Sequence, residues 1–373
     1  MLRRVRRLLL IAPATAAPAT ATATTMPTGS AAPAASPLPG ARPDGGQGAW
    51  RGRLRRAIRG CFRPGPWKRG LVLAALALLL GLLLLAHAEI PNGGTGNLGS
   101  LVETFLPWLG LFVPPLLVAA LWRRSASAVA ALLLPVTAWL HLFGGLLVDK
   151  SHPGHSDLTV VSHNVGAGNP DPAGAARDLA ASGADLLALE ELTPQATSAC
   201  EEELAKTYPY HTVQGTVGLW SRLPLSDTRP VDVAMGSPRA LHATVATDRG
   251  PLAVYVAHLG SVRVFPRSGF WTIRRDVGAQ ALARAVAAER NERVVLLGDL
   301  NGTMDDRAFD GLTSQLRSAQ EVAGDGFGFT WPATFPVARV DQILVGGVRA
   351  DSAWNLPATG SDHLPVAAGI SFA

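Results

Sequence analysis

Polar side chains of a restricted set of types stand where short apolar runs stop. Asn164 follows the run Leu158–Val161, Glu190 and Glu191 close Asp185–Leu189, and His258 closes Leu252–Ala257. Asp299 and Asn301 follow Val294–Leu297 across Gly298, Asp341 lies at the start of Val340–Val345, and Asp362 and His363 precede Leu364–Ile370. One Asp or Asn at a strand end is usually a turn or cap former. Carboxylates, amides and two histidines repeated at strand ends form a different signal, because the strand ends of one layered β-structure converge on one rim. Such a rim gathers Asn164, Glu191, Asp299, Asn301, Asp341 and Asp362. Like charges that close raise one another's free energy unless a cation offsets them. Carboxylate and amide oxygens select a hard cation, Mg2+ or else Mn2+ or Ca2+. With no Cys pair and no His-x-x-x-His spacing, zinc is disfavoured. Mg2+ takes one or two carboxylates and completes its shell with water and substrate phosphate. That chemistry suits phosphoester hydrolysis: the metal neutralises the phosphoryl oxygens while a carboxylate orients or deprotonates the attacking water.

The elements that must position these residues are legible from residue 157 onward. Short β-rich runs recur at Leu158–Val161, Asp185–Leu189, Gly218–Trp220, His242–Ala246, Leu252–Ala257, Val294–Leu297, Val340–Val345 and Val366–Ile370. Helices are expected at Pro172–Ser182, stopped by Gly183, and at Thr272–Glu289. Many strands with few helices predict an α+β class domain, two packed sheets with helices outside. No internal repeat is visible.

Seven stretches resemble the endonuclease/exonuclease/phosphatase superfamily, in that family's order and over essentially all of residues 157–373. They are SHNV (Ser162–Val165), ADLLALEEL (Ala184–Leu192), LWSRLPL (Leu219–Leu225), VAHL (Val256–Leu259), LLGDLNG (Leu296–Gly302), RVDQILV (Arg339–Val345) and GSDHLPV (Gly360–Val366). The resemblance implies a four-layer α/β/β/α sandwich and a Mg2+-dependent phosphodiesterase, nuclease or phosphatase. It implies that Asn164 and Glu191 hold the metal with Asp362 beside it, and that His258 binds the scissile phosphate. Asp299 would position or activate the water, and Asn301 would hold the phosphate or that Asp. Asp341 would orient His363, which acts as acid–base or phosphate ligand. The family usually has Gln where this chain has Glu190. Neighbours on a strand point oppositely, so one of the two glutamates faces the metal; the register favours Glu191 and leaves Glu190 as a supporting hydrogen-bond partner.

Other polar and aromatic residues have plainer readings. His163 is expected to pack under the site, His152 and His155 to be solvated in a linker, and His242 to sit mid-strand and partly buried. Arg239 is a candidate phosphate contact and Trp331, with Phe335, a candidate lining of the substrate cleft. Arg274, Arg275 and Gln280 read as a salt-bridged helix surface.

The rest of the chain differs in kind. Residues 1–150 hold 16 basic and 4 acidic residues, a net of +12; residues 151–373 hold 17 and 24, a net of −7. An acidic domain is a poor non-specific binder of nucleic acid. The two cysteines, Cys61 and Cys200, fall in different regions, so no internal disulfide is expected. Residues 1–69 read as a basic, Ala/Pro-rich segment without the apolar content to fold. Three apolar stretches follow, at about 70–88, 101–122 and 126–148, read as transmembrane helices, the second kinked at Pro114–Pro115. His141, between Trp139 and Phe143, is expected on a packed helix face. The basic cluster before residue 70 and the Arg123–Arg124 turn place both in the cytoplasm. The expected organisation is therefore a multi-pass cell-membrane protein in contact with the lipid bilayer. A linker at 149–156 leads to an extracytoplasmic catalytic domain at 157–373. The substrate is a phosphoester, whether nucleic acid, phospholipid headgroup or small phosphodiester, and no obligate protein partner is evident. The alternatives are a phospholipid or inositol-phosphate phosphoesterase of the same fold and a non-catalytic binding module on it.

Overall fold

The computed structural model describes residues 65–372 apart from 94, 95, 153, 155 and 268. Residues 1–64, with Cys61, and His155 lie outside the described residues. Pro64–Ala373 forms one compact unit.

Two six-stranded sheets carry the C-terminal part. The first contains β1 (Leu158–Asn164), β2 (Leu186–Glu190), β3 (Tyr210–Gln214), β4 (Val217–Ser221), β13 (Val348–Asn355) and β14 (Val366–Phe372), in the order β13-β14-β1-β2-β4-β3. The second contains β5 (Leu225–Pro230), β6 (Ala240–Thr247), β7 (Gly250–Ala257), β10 (Val294–Asp299), β11 (Arg317–Ser318) and β12 (Asp341–Gly346), in the order β11-β12-β10-β7-β6-β5. A small hairpin, β8 (Arg263–Phe265) with β9 (Gly269–Trp271), projects from the second.

The central strands read as unbroken apolar runs because both their faces are covered. Val160, Leu186, Leu219, Val254, Leu297 and Ile343 meet between the sheets. Their neighbours one residue on point outward, as the period of two requires. Val161 and Leu187 pack under the helices Pro172–Ala181 and Pro194–Leu204, while Tyr255 and Leu296 pack under the helix Ile273–Ala287. Each fully buried Leu or Val contributes roughly 1.5–3 kcal/mol relative to exposure.

The apolar N-terminal stretch forms α1 (Leu71–Leu85), α2 (Leu98–Thr104), a 3-10 segment at Leu106–Phe112, α3 (Val113–Trp122), α4 (Ala126–Ala131) and α5 (Leu133–Phe143). Among the described residues one helix, Ala126–Leu147, is long and apolar enough to cross a membrane. Leu98–Thr104 and Leu106–Trp122 form a pair bent by 72°, and α1, with 15 residues, is short for a span. The bend differs in place from the expected kink. It falls at Phe105, ahead of Pro107, whereas Pro114 and Pro115 occupy the first turn of α3, where the missing N–H groups break no hydrogen bond. His141 also differs: it is exposed. Trp139 and Phe143 are four residues apart on one face, and a residue midway between them points to the other.

Candidate active site

The topology explains why the polar residues meet. β1 and β2 run parallel, so they end together, with Asn164 opposite Glu190. β7 and β10 are parallel and also end at this rim, delivering His258 and Asp299. β12 is antiparallel to β10 and begins there, with Asp341 directly opposite Asp299. β14 is antiparallel to β1, so the turn that precedes it brings in Asp362 and His363.

Asp299 is the hub. Its side chain is fully buried and accepts from Asn164 Nδ2 at 2.9 Å, from Asn301 N–H at 2.9 Å and from Asn301 Nδ2 at 3.2 Å. Asn301 adopts φ 52°, a left-handed turn that Asn tolerates, and so folds its amide back over the carboxylate. His258 Nε2 stands 3.6 Å and His363 Nε2 3.9 Å from Asp299 Oδ2. Burial first, and then the charge of Asp341, push the Asp299 carboxyl above its ordinary range, against the pull of the two histidines.

The two histidines are tuned in opposite directions. His258 is buried with Arg239 Nη2 2.6 Å from its Nδ1, and burial pulls its pKa down to about 4. His363 Nδ1 lies 2.9 and 3.2 Å from the two oxygens of Asp341. Burial lowers its pKa, but the charge and hydrogen bond of Asp341, with Asp299 and Asp362 adding, raise it to about 10. At neutral pH His258 is thus neutral and His363 an imidazolium. Ser361 fixes this corner by donating to Asn164 O at 2.7 Å and accepting from His363 N–H at 3.1 Å.

The adjacent glutamates part company, though not by the alternation of a strand: β2 ends at Glu190, and Glu191 takes a left-handed turn. Glu190 is fully buried; one oxygen accepts from Ser162 Oγ at 2.9 Å and the other has no hydrogen-bond partner. Burial, then the charges of Asp341 and Asp299, hold its carboxyl well above the usual range. Glu191, at φ 57°, turns its side chain into the cleft, with Oε1 3.6 Å from His258 Nε2 and Oε2 accepting from Ala167 N–H at 2.9 Å. Asp362 Oδ2 lies 3.3 Å from Trp331 Nε1.

This donor set fits a divalent cation. Five carboxylates, those of Glu190, Glu191, Asp299, Asp341 and Asp362, gather at this rim, and one oxygen of Glu190 has no hydrogen-bond partner among the described residues; an oxygen-rich, acidic rim is what Mg2+ takes. Among the described residues Asp299, Asp341 and His363 place one ligand atom each within 4.8 Å of one another. Asn164 is oriented with its amide on Asp299 and its oxygen on Gly166 N–H at 3.0 Å.

A cleft of about 430 Å³ opens over the rim, bordered by Glu191, Asp299, Asn301, Asp362 and His363. Trp331 lines it, whereas Phe335 is exposed away from it; Arg239 sits behind, against His258. Leu101 and Phe105 of the N-terminal stretch also line it, with Val264 and Phe270 of the small hairpin. No sequence signal marked these four, because their contact with the rim spans long separations. His163 is packed under the site against Thr359, as expected, and burial lowers its pKa to about 3. His152 is exposed, as expected. His242 is fully buried, beyond the partial burial expected, because its ring packs against Tyr255 with Nε2 2.9 Å from Glu289. Arg275 departs from its expected place on a salt-bridged surface. It is 1 % exposed and paired with Asp306 at 2.6 Å, because its helix faces the N-terminal stretch there; Arg274 and Gln280 are exposed.

Comparison with solved structures returns the same fold. A functionally unknown conserved protein from Enterococcus faecalis V583 aligns at TM-score 0.50 and 16% identity, covering 58% of this chain and all of that one. Humanized D. rerio TDP2 aligns at 0.48 and 20%, covering 57% of this chain and 98% of that one. A mannosyl-6-phosphatase from Bacteroides thetaiotaomicron aligns at 0.47 and 16%, covering 58% of this chain and all of that one. No curated protein sequence matches the chain. The sequence profile of the endonuclease/exonuclease/phosphatase family matches residues 161–363, more than half of the chain, from within β1 to His363, so the chain belongs to that family.

Proposed function

We propose that this protein is a membrane-anchored, divalent-metal-dependent phosphoester hydrolase. The observation that carries the reading is Asp299, a buried carboxylate gripped by Asn164 and Asn301 with the imidazoles of His258 and His363 at 3.6 and 3.9 Å. In this reading Asp299 orients or deprotonates the attacking water, and Asn301 holds it for that task. His258 and the imidazolium of His363, with Arg239 behind, take the charge that develops on the phosphoryl oxygens.

Two placements of Mg2+ compete, and we favour the outer one. Both oxygens of Asp341 are spent on His363, whose proton a cation among Asp299, Asp341 and His363 would have to displace. Glu191 and Asp362 open into the cleft instead, with Asn164 between the strands that carry them. Bound there, the metal would neutralise the substrate phosphate and Lewis-acid activate it.

The apolar wall formed by Leu101 and Phe105 favours a second reading within the first, a phospholipid-type substrate over nucleic acid. The acidic balance of residues 151–373 points the same way. Anchoring rests on the helix Ala126–Leu147 and the bent pair before it, and an extracytoplasmic catalytic domain on the basic residues flanking them. The test is a phosphate-release and product screen over DNA, RNA, sphingomyelin and phosphoinositides with Mg2+, repeated with a chelator. Chelator-sensitive turnover lost in Asp299→Ala is the expected result. A purified chain that hydrolyses none of these sinks the reading.

A further inference from the structure

The loop that leaves Asp299 is tied down from outside the two sheets. Thr303 Oγ1 donates to the backbone oxygen of Glu103 at 3.4 Å. Arg307 forks onto Glu103 Oε1, with Nε at 2.9 Å and Nη2 at 2.7 Å, and the Glu103 side chain is fully buried. Arg275, equally buried, bonds Asp306 at 2.6 Å and Ser100 Oγ at 3.3 Å, and its guanidinium covers the ring of Phe309 at 5.4 Å. The loop on the opposite side of the cleft is tied to the same stretch. Trp108 Nε1 donates to Val337 O at 2.7 Å and its ring stacks on Phe329 at 5.5 Å. Residues 98–108 therefore hold both loops, one carrying Asn301 and the other Trp331, and wall the cleft between them.

Buried ion pairs are an expensive way to hold two elements together, since desolvation offsets most of the attraction, and an apolar contact of the same volume would do as well. What two guanidinium nitrogens closing on one carboxylate oxygen add, beyond apolar contact, is a directional restraint. Here the geometry it fixes is that of the segment beginning with Asn301.

We infer that Glu103 is a positioning residue for the hydrolysis proposed above: acting through Arg307, it sets the loop that carries Asn301 and so the orientation of Asp299. The N-terminal stretch is by this account part of the catalytic apparatus as well as an anchor. The inference rests on the hydrolase reading, and the test separates the two.

The test is a double-mutant cycle on the full-length chain at saturating Mg2+, read as kcat and KM. The probes are bis(p-nitrophenyl) phosphate and p-nitrophenyl phosphate. Arg307→Gln cuts the link from a side chain that is 28% exposed, so the protein folds even where Glu103→Gln does not. Either variant is expected to lower kcat on the order of tenfold with KM nearly unchanged, as misplacement of a reacting group does. In an Asn301→Ala background the same variant is expected to cost nothing more. Losses that multiply, or a lowered thermal midpoint with kcat intact, overturn the inference and leave the hydrolase reading standing. A wild-type chain that turns over neither these esters nor any substrate of the screen above in Mg2+ removes that reading, and this inference with it.

Discussion

At the scale of single residues, the pairing of Asp341 with His363 makes a pH prediction whose sign is fixed. The folded-state pKa of His363, about 10, stands above the ordinary imidazole value near 6.5. The pairing therefore contributes its full stabilisation below about pH 6.5 and loses it as pH rises through about 10. Activity that needs the imidazolium falls over the same alkaline limb. Asp341→Asn is expected to move that limb down toward neutrality and to lower kcat roughly 10²–10⁴-fold. An NMR titration of His363 with a pH–rate profile checks both, and an alkaline limb that stays put in Asp341→Asn refutes the assignment. Metal placement is a second question at this scale. Glu191→Gln and Asp362→Asn are expected to raise the Mg2+ concentration for half-maximal activity at least roughly tenfold. They should also remove the stabilisation of about 2.7 kcal/mol that Mg2+ at a hundredfold its dissociation constant gives the native chain. Asp341→Asn should leave that Mg2+ dependence in place; if it is the variant that loses it, the cation sits in the inner position.

At the scale of elements, Gly298 shows how narrowly the strand end is specified. Its φ is 147°, and a methyl group added there would overlap the carbonyl oxygen of Ala257 on the neighbouring strand β7. Gly298→Ala should cost on the order of 3 kcal/mol or more, read as a lowered denaturation midpoint, and should misplace Asp299. A variant as stable as the parent would mean that the strand end relaxes freely. The elements that position the site were the ones the sequence displayed best. β1, β2, β7, β10 and β12 are largely buried on both faces, so each is an apolar run with a polar residue at or next to the end that meets the rim, the start in β12 and the finish in the others. β3 and β5 left no such mark: they lie at sheet edges and their residues are partly or largely exposed. The helix Pro194–Leu204 did carry a signal, Thr193 capping Ala196 N–H with Pro194 at the first helical position, which composition alone had not drawn out. The wall of Leu101 and Phe105 and the Glu103–Arg307 pair were illegible. Partners 204 residues apart leave no local pattern for either to be recognised by.

At the scale of the whole molecule, the proposal of a membrane anchor makes a fractionation prediction. The full-length chain should sediment with membranes and resist carbonate extraction, and a protease added outside the intact cell should reach a reporter fused at Ala373. Recovery in the soluble fraction would remove the anchor, and a protected reporter would reverse the orientation. The short α1 and the bend at Phe105 make the first two stretches the ones on which this topology turns.

The place of β1 in its sheet reaches into how the chain is made. β1 has β2 on one side and β14 on the other, and β14 lies some 200 residues further along the chain. Pairing across so large a loop is slow, because the closure entropy must be met before the contact gives anything back. Until Val366–Phe372 has left the ribosome, Asn164 faces no His363, and the strand that bears it has an open edge. If the chain enters the bilayer as proposed, it would do so carrying half of the proposed site. Its capacity to cut esters would be switched on by the docking of β14, after the apolar stretch has already taken up its position.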